Sequence, residues 1–335
     1  MPKILLATLG TSPAVITTAV DLLKAEGVVL KGVVLLGTTD YDVRAASDLL
    51  ANHLPVHDGI GWVEPLVPGD EFSDVDDANA AIRFLTIACQ RMKSLRDNGD
   101  EVYVCISGGR KSMAALLALA AQFYGAHRLF HVWVPPYIEE EGEVLALQRI
   151  EAHPEEFNRR LHPLSRPLQD YDRPRLVDLP FVGLVSLLPQ VLEGLRSPQS
   201  VDREIRKMLE GSGLVAGGEV TARGETVRRI LDDVEATPPP RPGSHKVHVA
   251  DHHYKGKLQD YAQRLGERFP FILGIRSLPW DNGPDRVDAV PPNRLTVRVR
   301  LREGPRLALQ LETTAASAGQ LEAARRMVEE FVRER

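Results

Sequence analysis

The chain has 335 residues, of which 43% are apolar and 26% are charged. This length allows two or three domains, and the composition is that of a globular protein. Its apolar runs are shorter than the roughly 20 residues of a membrane-spanning helix, and its first residues lack the features of a signal peptide. We therefore expect a cytoplasmic protein without a membrane partner, in which Cys89 and Cys105 are buried, reduced thiols.

The charge is distributed unevenly along the chain. The net charge is −5, but residues 244–335 carry 16 Lys/Arg and 12 Asp/Glu, a balance of +4 that leaves −9 for the rest. A basic C-terminal part on an acidic body favours RNA or another nucleic acid as the partner of that part.

Apolar runs alternate with helical stripes in the first 165 residues. One stripe follows the first run, and a second, from Ile82 to Met92, precedes the third run. Buried strands separated by helices predict an α/β fold with a mostly parallel sheet, on which ligands bind beyond the carboxyl ends of the strands. The predicted strands are Lys3–Leu9, Gly32–Gly37, Glu101–Ile106 and Phe130–Val134.

Residues 175–237 are predicted to be helical with one hairpin, in the order of a winged helix-turn-helix domain. Gly217 and Gly218 would form the turn of the hairpin, and Ser200 would cap the second helix. That helix mixes basic and acidic side chains, which favours a spacer or dimerisation role over DNA reading. The predicted elements are helices Leu184–Leu195, Val201–Glu210 and Ala222–Val234 and hairpin Leu214–Val220.

A proline-rich hinge, residues 238–243, precedes the last predicted domain. Residues 244–335 have the pattern of a small basic α+β domain. The predicted elements are strands His245–Ala250, Phe271–Leu278, Arg294–Leu301 and Leu307–Thr313 and helices Lys255–Arg268 and Gly319–Arg333.

The first predicted strand ends in Gly10-Thr11-Ser12-Pro13. Ser12 is a natural N-cap and Pro13 suits a first helical turn, so backbone N–H groups and two hydroxyls converge at a helix N-terminus. Such a terminus binds anions, although ordinary capping uses the same residues.

The third predicted strand runs into Ser107-Gly108-Gly109-Arg110-Lys111-Ser112-Met113, before a helix rich in alanine and leucine. Paired glycines let a backbone approach a phosphate closely, and the two basic side chains add positive charge. The spacing is not that of a P-loop, which argues against a nucleoside triphosphatase. Neither loop carries paired carboxylates or a metal-ligand cluster, so we expect no metal and no cofactor.

These two loops resemble the ligand loops of CARF domains, the Rossmann-like CRISPR-associated sensors of cyclic oligoadenylates. The Gly108-Gly-Arg-Lys-Ser-Met113 loop is the specific part of the resemblance. The stretch Val177-Asp-Leu-Pro-Phe-Val-Gly-Leu184 is similar to a winged-helix CARF subfamily found beside type III CRISPR systems. The resemblance covers about residues 1–235 and implies a homodimer whose two pockets merge around one ring, for which we expect cyclic tetra-adenylate.

The resemblance also implies a set of ligand-binding residues. Thr39 and Asp40 are expected at a base edge or a 2′-hydroxyl, and Trp133 is either a pocket residue or a core aromatic. Some relatives cleave their ring without metal, and Lys111 would then stabilise the developing charge while Ser12 or Thr11 positions the hydroxyl. The predicted set is Gly10, Thr11, Ser12, Thr39, Asp40, Ser107, Gly108, Gly109, Arg110, Lys111, Ser112, Met113 and Trp133.

The order of sensor, winged helix and small basic domain is similar to that of CRISPR-associated mRNA interferases with a RelE-class toxin domain. This resemblance implies a metal-independent ribonuclease that acts on ribosome-bound mRNA and uses basic side chains or tyrosine to stabilise a phosphorane-like state. Arg298 and Arg300 share one face of a predicted strand. The predicted catalytic residues are His253, Tyr254, Lys255, Lys257, Arg298 and Arg300.

Other functions for the last predicted domain are less well supported by the sequence. Pro242 and Gly243 exclude the helix on which Arg241 and His248 would form a helical ribonuclease site. Helix, three strands, helix is also the order of a double-stranded RNA-binding fold, but the lysine cluster of its second helix is missing. The nearby histidines lack the cysteines of a zinc site; they are His245, His248, His252 and His253.

The sequence therefore predicts a sensor domain (1–165), a winged-helix domain (175–237) and an effector domain (244–335). A ligand-activated ribonuclease is favoured over a ring nuclease that ends signalling or a regulator that binds nucleic acid without cleaving it.

Overall fold

The computed structural model describes residues 1–67, 72–239, 241, 245–249, 255–280, 283–300 and 306–333. The chain forms two compact units, Met1–Leu231 and Asp232–Arg335. Within the described part of the chain, no helix is both long and apolar enough to cross a bilayer. His252, His253 and Tyr254 lie outside the described residues.

A six-stranded sheet forms the centre of the first unit. Its strands are β1 (Lys3–Thr8), β2 (Gly32–Leu36), β3 (Trp62–Leu66), β4 (Glu101–Cys105), β5 (Arg128–Trp133) and β6 (Arg175–Asp178). They lie in the order β3-β2-β1-β4-β5-β6, in which the first five are parallel and β6 is antiparallel to β5. This arrangement confirms the predicted α/β fold with a mostly parallel sheet.

The four predicted strands are observed within two residues at each end, whereas β3 and β6 were not predicted. Both are edge strands. Strand β3 contains Glu64 and Pro65, and β6 has only four residues, of which two are charged. Proline and charged side chains are tolerated at a sheet edge, where one side of the backbone has no partner strand.

Helices connect the strands and follow the sheet. They are α1 (Ala14–Ala25), α2 (Tyr41–His57), α3 (Ala78–Asp97), α4 (Lys111–Tyr124), α5 (Pro136–Glu141), α6 (Val144–Gln148), α7 (Pro154–Leu161), α8 (Leu188–Arg196), α9 (Arg203–Gly211) and α10 (Ala222–Glu235). Leu5 and Ala7 of β1 pack in one core with the apolar faces of α1 and α2. Every residue of β1 from Ile4 to Thr8 is buried, so both faces of the sheet are covered there.

The segment from α8 to α10 has the predicted order of helices and a hairpin. The hairpin joins β7 (Val215–Ala216) to β8 (Glu219–Val220), and both glycines of its turn have the positive φ of a type I′ turn. The prediction that Ser200 caps the second helix is wrong. The cap is Asp202, whose carboxylate accepts the N–H groups of the first turn of α9, whereas the Ser200 hydroxyl donates to the Ser197 carbonyl.

In its described residues after α10, the second unit contains one sheet with mostly antiparallel pairs and two helices. Its elements are β9 (Lys246–His248), α11 (Lys255–Arg268), β10 (Ile272–Ser277), β11 (Arg286–Val290), β12 (Arg294–Arg300), β13 (Arg306–Thr313) and α12 (Ala318–Arg333). The sheet order is β11-β12-β13-β10-β9, and only β9 and β10 are parallel. Both helices share one core with alternate residues of the strands, such as Leu295, Val297 and Leu309.

The predicted order of helix, three strands and helix in this unit is wrong. A fourth strand, β11, pairs with β12 along its whole length. Moreover, β10 lies beside β13 and not beside the next strand in the chain. The unit therefore does not have the order on which the alternative of a double-stranded RNA-binding fold depended.

The two cysteines are free and buried, as predicted. Cys89 lies on α3 and Cys105 ends β4. Burial raises the pKa of both thiols, because it disfavours the charged thiolate.

Candidate functional site

Two loops meet at the carboxyl ends of β1 and β4. These strands are neighbours in the sheet, with Ala7 opposite Cys105. The chain continues from β1 to one side of the sheet and returns through β4 on the other, so the strand order reverses between them. In open α/β sheets this switch point is where ligands bind. We call residues 9–13 the first loop and residues 106–110 the second loop.

Glycines allow the two loops to touch through their backbones. A Cβ atom added to Gly10 would lie 2.7 Å from the Gly109 nitrogen. One added to Gly108 would lie 2.1 Å from the Thr8 carbonyl oxygen. Gly109 also has a φ of +74°, a conformation that L side chains rarely adopt. Side chains at these positions would push the ends of β1 and β4 apart.

A cleft of about 350 Å³ opens above this contact. Both loops line it, together with residues that follow β2 and residues from α5 and its continuation. Nine residues of the predicted ligand set lie on its walls; they are Gly10, Thr11, Ser12, Asp40, Ser107, Gly108, Gly109, Arg110 and Met113. The fold therefore brings most of the predicted set to one place.

Four predicted residues are not among the described residues that line the cleft. Thr38 occupies the wall where Thr39 was expected, and the Thr39 N–H donates to the Phe72 carbonyl at 2.7 Å. Lys111 is exposed at the start of α4. The Ser112 hydroxyl donates to a carbonyl at residue 75. Trp133 is the last residue of β5, and the guanidinium of Arg175 on β6 lies 4.4 Å from its ring centre.

Several hydroxyls of the cleft hold the loops in place. The Ser12 hydroxyl is 3.2 Å from both the Glu139 and the Gly142 carbonyl oxygens, which ties the first loop to α5. The Ser107 hydroxyl accepts the Val132 N–H and is 3.1 Å from a ring nitrogen of His131, which ties the second loop to β5. These serines therefore position the backbone of the loops.

Asp40 has a structural role as well. It is the N-cap of α2, and its carboxylate accepts the N–H groups of Asp42 and Val43 at 3.0 and 3.2 Å. Asp40 is also one of the residues that line the cleft.

The cleft combines backbone donors with an acidic rim. The first N–H groups of α4 have no acceptor within the helix, and among the described residues the N–H groups of Gly108 and Gly109 have no acceptor either. Arg110 pairs with Asp74 through contacts of 3.1 and 2.7 Å. The other ionisable residues on the walls are all acidic; they are Asp40, Asp42, Glu139 and Glu143.

Of the acidic residues on this rim, only Asp40 belonged to the predicted ligand set. Asp74 follows β3, whereas Glu139 and Glu143 follow β5, and none of the three stands in a recognisable motif. Only the two loops could be assigned to one place from the sequence, because both follow strands of the same predicted parallel sheet.

Four of the six predicted catalytic residues of the second unit lie in the described part of the chain. Arg298 and Arg300 lie on the face of β12 opposite the helix-covered core, and Arg298 is 3.2 Å from the Asp288 carboxylate. Lys255 and Lys257 are exposed in the first turn of α11. Among the described histidines of this unit, His245 packs against Gly266, and burial lowers its pKa.

A second polar cluster, at the end of α2, does not belong to the cleft. Nε2 of His53 and Nε2 of His162 are 2.8 Å apart, and the latter is 3.9 Å from Oδ2 of Asp58. Nδ1 of His162 is 3.0 Å from the Asp21 carboxylate. The ring of His57 stacks on that of His53 with 4.0 Å between their centres.

Burial governs the ionisation of this cluster. It lowers the pKa of His53 to about 4, since the charged imidazolium is disfavoured. It raises the pKa of Asp58 for the corresponding reason. Burial is the largest influence on His162 and opposes its charged form, but the hydrogen bond to Asp21 and the negative charges of Asp21 and Asp58 together outweigh it, so the pKa is raised. One local pattern in the sequence could have indicated this cluster, namely the two histidines four residues apart on α2, His53 and His57.

Comparison with known proteins gives a family match and distant structural similarity. A family model described as CRISPR-associated protein NE0113 matches residues 12–213, more than half of the chain. No curated protein matches the sequence significantly. Enterococcus italicus Csm6 bound to cyclic hexa-2′-fluoro-hexa-dAMP is 14% identical, with a TM-score of 0.35 over 70% of this chain and 53% of that one. The chain therefore spans about half the length of that Csm6.

A second structure, protein VC1899 from Vibrio cholerae, is 10% identical, with a TM-score of 0.31 over 93% of this chain and 78% of that one. UDP-GlcNAc 2-epimerase from Neisseria meningitidis bound to UDP-GlcNAc is 13% identical, with a TM-score of 0.28 over 84% and 66%.

Proposed function

Because the chain belongs to the CRISPR-associated NE0113 family, we propose that its first unit is a sensor that binds a cyclic oligoadenylate in the cleft between the two loops. The observation that carries this proposal is the backbone contact of Gly10 with Gly109 beneath an open cleft at the switch point of the sheet. This contact places the second loop on the cleft wall, where a phosphate can accept the N–H groups of Gly108 and Gly109, which have no acceptor among the described residues.

The mixed charge of the cleft favours a nucleotide over a simple polyanion. An acidic rim repels a ligand that offers only negative charge. An adenylate also offers donors, namely the 2′-hydroxyl of its ribose and the exocyclic amine of its base, and carboxylates are acceptors for both. The N–H groups of the second loop would bind phosphate, whereas Asp42, Glu139 and Glu143 would bind sugar and base.

The size of the cleft favours a homodimer. A volume of about 350 Å³ is near the lower end of the range for small-molecule sites, and a ring of four adenylates is larger than that. Two copies of the cleft related by a twofold axis would present each loop twice to a ligand with the same symmetry. Cyclic tetra-adenylate is the proposed ring.

The second unit is the proposed output, a RelE-like, metal-independent endoribonuclease that cuts ribosome-bound mRNA when the ring is present. The basic balance of residues 244–335 supports an RNA partner. Arg298 and Arg300, on the open face of β12, are the residues to test first. Arg298 is paired with Asp288, so an RNA phosphate would compete with that carboxylate.

The experiment is incubation of the full chain with labelled cyclic tetra-adenylate and translating ribosomes, with the ring and the mRNA followed separately. Linear tetra-adenylate is the control ligand. Cleavage of mRNA only with the ring supports both the sensor and the effector. Binding of the ring without any mRNA cleavage keeps the sensor and refutes the effector. If the ring is also linearised, the protein is a ring nuclease, and if the ring does not bind, the whole proposal is wrong.

A further inference from the structure

The cluster of His53, Asp58 and His162 brings three electron-pair donors to one point inside the first unit. His53 is 9% exposed, and the side chain of Asp58 is 6% exposed. Oδ2 of Asp58 is buried and 3.9 Å from Nε2 of His162, and it has no hydrogen-bond partner among the residues that the structure describes. A buried carboxylate oxygen in this state is energetically costly unless a cation or a donor compensates it.

The cluster has fewer protons than its lone pairs could accept in hydrogen bonds. Nδ1 of His162 faces the Asp21 carboxylate and carries a proton for that hydrogen bond. In the neutral ring, Nε2 of His162 then has a lone pair, which points at Nε2 of His53 and at the carboxylate of Asp58. One proton on His53 can serve one of these two acceptors only. A second proton on His162 would be donated to His53 at 2.8 Å and would still leave Oδ2 of Asp58, at 3.9 Å, without a hydrogen bond.

We propose that His53, Asp58 and His162 bind a divalent transition-metal ion. The three ligand atoms lie within 4.8 Å of one another. With two of the separations at 2.8 and 3.9 Å, a common centre lies at most about 2.4 Å from each atom, close to the roughly 2.0–2.2 Å of zinc ligands. Shifts of a few tenths of an ångström in the side chains would complete the coordination.

The chemistry of the ligands selects the class of metal. Two imidazoles and one carboxylate suit Zn²⁺ and the neighbouring first-row ions, whereas Mg²⁺ and Ca²⁺ prefer oxygen ligands alone. Asp21 completes the arrangement, because metal-bound histidines usually donate their other N–H to a carboxylate, which fixes the ring orientation. A water molecule would supply the fourth ligand of a tetrahedral zinc ion.

The proposed ion would connect parts of the chain that are remote in sequence. His53 and Asp58 lie in and just after the last turns of α2, His162 follows α7, and Asp21 is on α1. The ion would therefore fix three helices of the first unit to one another. An ion that binds the folded chain and not the unfolded chain raises the stability of the fold.

The test uses the tag-free full chain, stripped with a chelator and titrated with Zn²⁺ by calorimetry, with bound metal counted by mass spectrometry. We expect one zinc per chain in the native protein and no competition by a large excess of Mg²⁺. The variant His162→Ala should bind no zinc. His153→Gln, which changes an exposed histidine near the start of α7, is the matched control and should bind one zinc.

A milder variant keeps the test meaningful if His162→Ala does not fold. Asp21→Asn retains the shape of the side chain and should weaken zinc binding about 10- to 100-fold, as for other groups that orient a ligand. The ligand-field spectrum of bound Co²⁺ should change in this variant and stay unchanged in His153→Gln. The proposal is overturned if the native chain binds no zinc, or if Asp21→Asn and a folded His162→Ala bind it like the native chain.

Discussion

Replacing Arg110 with alanine is expected to weaken the binding of cyclic tetra-adenylate about 10- to 150-fold. The magnitude follows from two competing contacts of the guanidinium. Its side chain is 69% exposed in the pair with Asp74, and exposed ion pairs contribute only about 0.2–1 kcal/mol. A hydrogen bond from arginine to a phosphate contributes about 1.5–3 kcal/mol, and about 1.4 kcal/mol corresponds to tenfold in affinity. The contact with phosphate is therefore stronger than the ion pair with Asp74, and its loss determines the decrease in affinity.

The assay is fluorescence anisotropy with a labelled ring at fixed ionic strength, because phosphate contacts depend on salt. Arg159→Ala is the matched control, since Arg159 is 60% exposed and forms a 3.8 Å pair with Glu155 on α7. We expect the control to bind the ring within about twofold of the native chain, as surface substitutions usually do. Native affinity in Arg110→Ala, or an equal loss in both variants, would refute the assignment of Arg110 to the ligand.

Asp74→Asn removes the competing carboxylate and should tighten ring binding about two- to fivefold; unchanged or weaker binding in the same assay would contradict this. Gly108→Ala places a Cβ atom 2.1 Å from a backbone oxygen of β1 and should lower the free energy of unfolding by about 3 kcal/mol. The control is Gly27→Ala, because Gly27 also has a positive φ, of +80°, but an added Cβ atom there would meet no atom within 4 Å. It should lower the free energy of unfolding by only about 1 kcal/mol, and equal urea midpoints for the two variants would be inconsistent with the loop contact. Burial raises the pKa of Cys89 and Cys105, so neither should react with a thiol reagent at pH 8 until guanidinium unfolds the chain, and fast labelling of the folded protein would show the burial to be wrong.

The parallel sheet and the meeting of the two loops were predictable because both depend on local patterns. Four buried strands are continuous apolar runs, and each loop is a short motif directly after such a run. Of the two residues predicted after β2, Asp40 lines the cleft and Thr39 does not. Thr38 and not Thr39 faces the cleft, because the direction of a side chain in a loop depends on contacts such as that with the Phe72 carbonyl.

Features built from remote segments were not predictable. The acidic rim combines Asp74 with Glu139 and Glu143, and no local pattern links them. In the same way, 109 residues separate His53 from His162. Their juxtaposition depends on how α2 and α7 pack in the folded unit, which hydrophobic periodicity does not specify.

The second unit shows a different limit. Strand β11 has the sequence Arg-Val-Asp-Ala-Val, in which only Val287 is buried. A strand with one buried residue has little hydrophobic periodicity, so it was not recognised. Because β11 was not recognised, the sequence predicted three strands after α11, whereas the described residues form four.

The central claim is that the cleft of the first unit binds a cyclic oligoadenylate, and calorimetric titration of the full chain tests it most directly. Cyclic tetra-adenylate is compared with cyclic hexa-adenylate and linear tetra-adenylate. The account predicts saturable binding of the cyclic tetramer at one ring per two chains, with much weaker binding of the linear form. Absence of heat with either ring, or equal binding of linear and cyclic tetramers, would contradict it.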